Sequence, residues 1–141
     1  MATLTTNTTA SSSDWLAQTH WLLRLPVAGV FLYHGIDKLP ALEAGAAFMG
    51  LPLWLWTLVA VTEVLAGIAL IAGGALRTTL GDLSTRAGGA IIAAIMIGAI
   101  ALVHWGQWSA LPSESHPFGG MEFHTVVLFL GAWFIARGNR I

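Results

Sequence analysis

Residues 52–75 read PLWLWTLVAVTEVLAGIALIAGGA, a run in which Glu63 is the one charged residue. A helix needs about 20 mainly apolar residues to cross about 30 Å of hydrocarbon. Lipid offers no hydrogen-bond partner for backbone N–H and C=O groups, so a spanning segment of this length must be helical. We therefore predict a transmembrane helix over residues 52–75.

Three more segments of similar length and composition flank this one, at about residues 15–35, 87–105 and 120–136. Gly- and Pro-rich stretches separate them, and residues 77–86 form a polar loop between the second and third segments. The sequence thus predicts an all-α membrane protein, a four-helix transmembrane bundle that occupies residues 14–141. Residues 1–13 are rich in Ser and Thr, lack an apolar period, and are predicted to be a disordered tail.

The composition supports the same fold class. Of 141 residues, 56% are hydrophobic and 9% are charged, and the mean hydropathy is +0.75. Soluble domains carry roughly 25% charged residues, so lipid must cover part of the apolar surface. A net charge of −1 argues against nucleic acid as a partner. The absence of cysteine excludes disulfides, iron–sulfur clusters and thiolate metal sites, and no metal site is predicted.

The basic residues predict the orientation of the bundle. Four spans place both termini and the middle loop on one side, which holds Arg77, Arg86, Arg137 and Arg140. The opposite side holds Lys38 alone. Because basic loops face the cytoplasm, both termini are predicted to be cytoplasmic.

Ionisable residues collect at the other, outer end. His34 and Lys38 lie where the first helix ends, His104 closes the third helix, and Glu122 opens the fourth. A four-helix bundle brings such helix ends close together. We predict an outer pocket rimmed by these residues and His124, although His124 is nearly opposite Glu122 on the helix and is the weaker candidate. Imidazole and carboxyl groups there suit proton exchange with a small head group that carries carbonyl or hydroxyl oxygens, such as a quinone.

Two charges lie deeper. Arg24 is about 15 Å below His34, and Glu63 is about 16 Å below Pro52, at a rise of 1.5 Å per residue. Because a charge in the membrane is costly without a partner, we predict a buried Arg24–Glu63 ion pair that forms the floor of the pocket.

With these residues in view, the chain resembles the DoxX family of four-helix membrane proteins from about residue 22 to 136. The resemblance rests on Arg24, on HGIDKL at residues 34–39, on Glu63 followed by Ala-Gly at 66–67, on His104, and on GGME at 119–122. It implies a bacterial or archaeal inner-membrane protein with Arg24, His34, Lys38, Glu63, His104 and Glu122 as its site residues. A related branch, DoxD, is the membrane subunit of a thiosulfate:quinone oxidoreductase, whose second subunit this chain does not contain.

Several functions are compatible with these features. The leading hypothesis is a quinone- or small-molecule-interacting subunit of a membrane redox system, with another redox subunit or a second copy of the chain as partner. The alternative is a non-enzymatic scaffold whose polar cluster only orders the helices. A haem held by His34 and His104 and transport by a homo-oligomer are further alternatives. The sequence assigns no catalytic residue and leaves open whether a reaction is catalysed.

Overall fold

The computed structural model describes residues 18–139, so the predicted tail at 1–13 lies outside the described residues. Four long helices dominate: α1 (Trp21–Lys38), α3 (Leu53–Ala75), α4 (Thr79–Ala99) and α5 (Glu122–Arg137). A 3-10 turn (Leu39–Ala41) and a short helix, α2 (Leu42–Met49), connect α1 to α3, and α4 continues as a π-helical turn (Ile100–His104). No strand occurs in residues 18–139, which confirms the predicted all-α fold.

The helix bounds differ from the predicted spans in α1 and α4. α1 begins at Trp21, not near residue 15, and runs three residues past Gly35, to Lys38. The predicted polar loop at residues 77–86 is largely wrong, because α4 already begins at Thr79. Thr78 caps it by accepting a hydrogen bond from the Gly81 N–H at 3.2 Å. The polar residues in the first two turns of α4 were therefore misassigned to a loop.

Small residues let the helices pack closely in two pairs. Along the α1/α3 pair, a Cβ built on Gly35 would lie 2.9 Å from the Ala60 carbonyl, and one on Gly67 would lie 3.0 Å from the Ala28 carbonyl. In the α4/α5 pair, a Cβ on Gly89 would lie 2.7 Å from the Gly131 carbonyl. Such close backbone approach is typical of packed helices in membranes.

The two pairs meet at one end and separate toward the other. A Cβ on Gly88 of α4 would lie 3.2 Å from the Ala66 carbonyl, and one on Gly73 would overlap the Thr85 hydroxyl, so α3 and α4 are tightly packed there. α1 and α5 make few direct backbone contacts. The core sits between the pairs and is formed by Val27, Ala28, Phe31, Ala66, Leu70, Ile92, Met96, Val127 and Phe134. We call the two ends of the bundle the Arg24 end and the His104 end.

The outer surface of the bundle is apolar. Two helices, Leu53–Ala75 and Thr79–His104, are long and apolar enough to cross a membrane by length and composition. Large apolar side chains on all four long helices are exposed, among them Leu22, Leu65, Leu83 and Phe129. A surface of this kind suits lipid rather than water.

Candidate functional site

A cavity of about 480 Å³ opens where the helix pairs separate, at the His104 end. Its walls are mostly aliphatic and aromatic. The polar groups that line it are few: His34, Lys38, the indole N–H of Trp56, Thr62, Glu63, His104 and His124. Phe31, Met96 and Val127 of the core also line it. Ligand sites typically combine such apolar walls with a few convergent polar groups, at volumes of about 300–1,000 Å³.

An ion pair lies on the α1/α3 wall. The Lys38 ammonium donates to Glu63 Oε2 at 2.7 Å, and the two side chains are 15% and 8% exposed. Lys38 also donates to the His34 carbonyl at 3.1 Å, and its nitrogen lies 5.3 Å from the centre of the Trp56 ring. Glu63 therefore has its counter-ion on the neighbouring helix, and both groups border the cavity.

Two stacked imidazoles lie on the α4/α5 wall. The rings of His104 and His124 are 3.8 Å apart at an angle of 27°. In a π-helical turn the hydrogen bonds join residues five apart, so His104 lies one turn beyond Ala99 on the same side of the helix. Both residues line the cavity. His104 Nδ1 is 2.8 Å from the Gly119 carbonyl, which fixes the ring. In the described part of the chain, the buried Nδ1 of His124 has no hydrogen-bond partner, although the Gly120 backbone is close to the ring.

The predicted Arg24–Glu63 ion pair does not form. Arg24 is 1% exposed and lies at the opposite end of the bundle from the cavity. The error came from assuming that α1 and α3 leave the membrane at the same depth. Gly35 actually packs against Ala60, about two turns into α3, so Arg24 lies beside Gly74. Glu63 and Gly74 are about 16 Å apart along α3.

The Arg24 guanidinium is fully used in a network of hydrogen bonds. Its N–H groups donate to the Leu70 carbonyl on α3 at 3.0 Å and to Thr85 Oγ1 on α4 at 2.8 Å. The other acceptors are His20 Nδ1 before α1, at 3.0 Å, and two groups after α5, the Gly138 carbonyl at 3.4 Å and Asn139 Oδ1 at 2.7 Å. A guanidinium has five N–H donors, so none is left for a ligand. Arg24 ties the helices together.

Two neighbours complete this network. Asn139 donates to the Gly73 carbonyl at 2.6 Å, and Thr85 donates to Asn139 Oδ1 at 2.6 Å. His20 must be neutral at Nδ1 to accept from Arg24. Burial, followed by the charges of Arg24 and Arg77, lowers the pKa of His20 below its ordinary value of 6.5, which favours that neutral form.

Comparison with protein families gives a match to DoxX over residues 20–105, more than half of the chain. The chain belongs to the DoxX family. DoxX is a membrane family, so together with the two apolar helices this identifies a membrane protein. Neither the curated proteins nor the solved structures gave a match.

This DoxX chain brings four of its six predicted site residues to one cavity: His34, Lys38, Glu63 and His104. Arg24 and Glu122 do not line it. Glu122 is exposed and accepts a hydrogen bond from the Ala110 N–H at 3.1 Å, so it fastens the 105–121 loop to the start of α5.

His124 has the place in the cavity that the sequence argument preferred for Glu122. The two residues are about 200° apart around α5, so only one of them faces the other helices. The apolar or small residues Val127, Gly131 and Phe134 are buried and share a face with His124 at spacings of three and four. That stripe was visible in the sequence. By contrast, Asn139 follows a glycine beyond the predicted span and carried no signal.

The described DoxX residues hold no group of three or more His, Asp or Glu side chains arranged to bind a metal ion. The haem hypothesis needed two imidazoles, His34 and His104. Both line the cavity, but the structure gives His104 a stacked partner on one ring face. That hypothesis stays a prediction.

Proposed function

We propose that this DoxX protein is a membrane subunit of a redox system and that its cavity binds the head group of an isoprenoid quinone. The observation that carries the proposal is that two polar pairs line one mainly apolar cavity: the Lys38–Glu63 ion pair comes from α1 and α3, and the His104–His124 stack from the end of α4 and from α5. A quinone ring is flat and apolar and carries an oxygen on each of two opposite sides. Its shape and polarity match this arrangement.

The unpartnered His124 nitrogen supports an oxygen-bearing occupant. A buried polar atom without a hydrogen bond costs about 1–3 kcal/mol. His124 Nδ1 is such an atom among the described residues, and its ring borders the cavity. A turn of the imidazole that brought this nitrogen to the cavity surface would let a ligand oxygen bond to it and remove that cost. Lys38 is the second candidate donor, because one ammonium has three N–H groups.

The surroundings of the cavity favour a lipid-soluble occupant. Leu58, Leu102 and Phe123 line the cavity and are 52%, 63% and 48% exposed on the apolar outer surface. A molecule dissolved in the bilayer would therefore reach the cavity from the side, without passing through water. The positive-inside argument puts this end of the bundle at the outer leaflet, where the quinone would be bound.

The experiment is a comparison of quinone retention and affinity across variants. The protein is extracted in mild detergent, its lipophilic ligands are identified by mass spectrometry, and a short-chain benzoquinone is titrated while Trp fluorescence is recorded. Glu63→Gln and His34→Ala should each weaken binding by about tenfold, equivalent to 1.4 kcal/mol. Glu122→Gln is the matched control, because this carboxylate is outside the cavity. Thermal unfolding shows whether each variant keeps the bundle.

A scaffold role is the second candidate, and one observation favours it. Arg24 donates its N–H groups to five acceptors within the protein, so this buried polar residue has a structural role and needs no ligand. If the same were true of the cavity, Glu63→Gln and His34→Ala would lower thermal stability without changing quinone retention. No bound quinone in wild type, and equal benzoquinone affinity in all variants, would reject the redox proposal.

A further inference from the structure

We infer, on the basis of the proposed function, that the His104–His124 stack takes up at most one proton and thereby selects the redox form of the bound ring. The oxidised form, a quinone, offers only hydrogen-bond acceptors. The reduced form, a hydroquinone, offers hydroxyl donors. A group that changes from acceptor to donor on protonation discriminates between the two.

His104 is the positioning member of the stack. Its Nδ1 lies 2.8 Å from the Gly119 carbonyl, and a carbonyl only accepts, so Nδ1 carries the hydrogen. The ring is 8% exposed and is held by the π-helical turn on one side and by the 105–121 loop on the other. These contacts hold the ring without any contribution from a ligand.

His124 is the member that contacts the ligand. Its ring borders the cavity, and its Nδ1 is buried with no hydrogen-bond partner among the described residues, so a turn of the ring toward a ligand breaks no existing side-chain hydrogen bond. Its ring lies 3.8 Å from that of His104. Two imidazolium rings at this distance repel each other, so the second proton is excluded.

The other ionisable groups that border the cavity are placed differently. Glu63 and Lys38 form an ion pair at 2.7 Å, so each already has a partner of opposite charge. His34 also borders the cavity but is exposed on α1, without a second imidazole stacked on its ring in the described residues. The stack is therefore the described pair of cavity-lining imidazoles in which one proton opposes the next.

The two protonation states then prefer different ligands. A protonated stack donates from His124 to a quinone carbonyl, whereas a neutral stack accepts from a hydroquinone hydroxyl. Acidic conditions should therefore favour the quinone, and alkaline conditions the hydroquinone. For one linked proton, the ratio of the two affinities changes by up to about tenfold per pH unit.

The test is a set of anaerobic titrations with a short-chain benzoquinone and its hydroquinone between pH 5.5 and 8, in purified full-length protein. Wild type should show the quinone preference rise as the pH falls. His124→Gln keeps a donor and an acceptor but does not titrate, so it should bind both forms with a ratio independent of pH. His116→Gln, at a loop histidine outside the cavity, is the control and should behave as wild type.

A second measurement tests the stack directly. Ring-nitrogen NMR of labelled histidine should show His124 titrating at higher pH in His104→Gln than in wild type, because the neighbouring ring no longer opposes protonation. A pH-dependent ratio that survives His124→Gln, or a His124 titration unchanged by His104→Gln, would overturn the inference while the quinone site stands. Absence of binding of either form at every pH would reject the proposed function and this inference with it.

Discussion

Replacing Lys38 by methionine should strongly destabilise the bundle, and the same change should be far less harmful when Glu63 is replaced as well. Methionine keeps most of the apolar stem of lysine but removes the ammonium. Glu63, with a side chain 8% exposed, would then have no salt-bridge partner among the described residues, although the charge of the His34 imidazole would still act on it. The loss arises from a buried charge left alone rather than from the value of the pair itself.

The expected magnitude follows from the burial of the two groups. Removing one partner of a buried ion pair costs about 3–5 kcal/mol. We expect the lower end, about 3 kcal/mol, because both side chains border a cavity and are not enclosed by packed core. The double variant Lys38→Met/Glu63→Gln should be within about 1 kcal/mol of wild type, since no unpaired charge remains.

The assay is unfolding in detergent mixtures with a rising fraction of SDS, followed by circular dichroism and tryptophan fluorescence at pH 7.5. A double-mutant cycle then gives the coupling energy of Lys38 and Glu63. The matched cycle pairs Arg24→Gln with Glu63→Gln, and its effects should add within about 0.5 kcal/mol because these residues share no partner. A strong Arg24–Glu63 coupling, or a Lys38→Met variant as stable as wild type, would refute the geometry.

Three further outcomes are expected. Because the pKa of His20 is lowered in the folded protein, its contribution to stability is complete above its ordinary value of 6.5 and is lost as the pH falls below it. His20→Gln should therefore reduce the fall in unfolding temperature between pH 7.5 and 5, whereas His116→Gln should not. Gly35→Ala should cost about 1–3 kcal/mol, since the new methyl meets backbone at 2.9 Å; Gly29→Ala, with open space around it, should cost nothing in the same SDS titration. Asn139→Ala should cost about 1–3 kcal/mol by leaving buried hydrogen-bond partners unpaired, measured as thermal unfolding.

The sequence was informative wherever one helix could be considered by itself. Hydropathy located four long helices, and the positions of His34, Lys38 and His104 at helix ends placed them at one end of the bundle. These inferences depend on the rise of a single helix and on the thickness of the bilayer. They do not depend on how one helix is placed against another.

The relative height of two helices was the quantity that the sequence did not supply. Close approaches such as Gly35 against Ala60 set that height, and a shift of one turn moves a side chain by about 5.4 Å. Counting from Pro52 assumed that α3 begins at the height where α1 ends. In the structure the 3-10 turn and α2 lie between the end of α1 and the start of α3, so the two ends are not level. The predicted partner of Glu63 was wrong for this reason, and Lys38 took the place of Arg24.

The Arg24 network also has a consequence for how the chain is assembled in the membrane. Arg24 lies in the first of the four long helices, and its acceptor Asn139 follows 115 residues later in the chain. During translation the guanidinium must remain hydrated or be shielded by another protein until α5 is inserted. The hydrogen bonds at the Arg24 end can therefore be completed only after α5 has been inserted. A fusion or truncation that disturbs Gly138 or Asn139 would leave the Arg24 guanidinium without two of its acceptors.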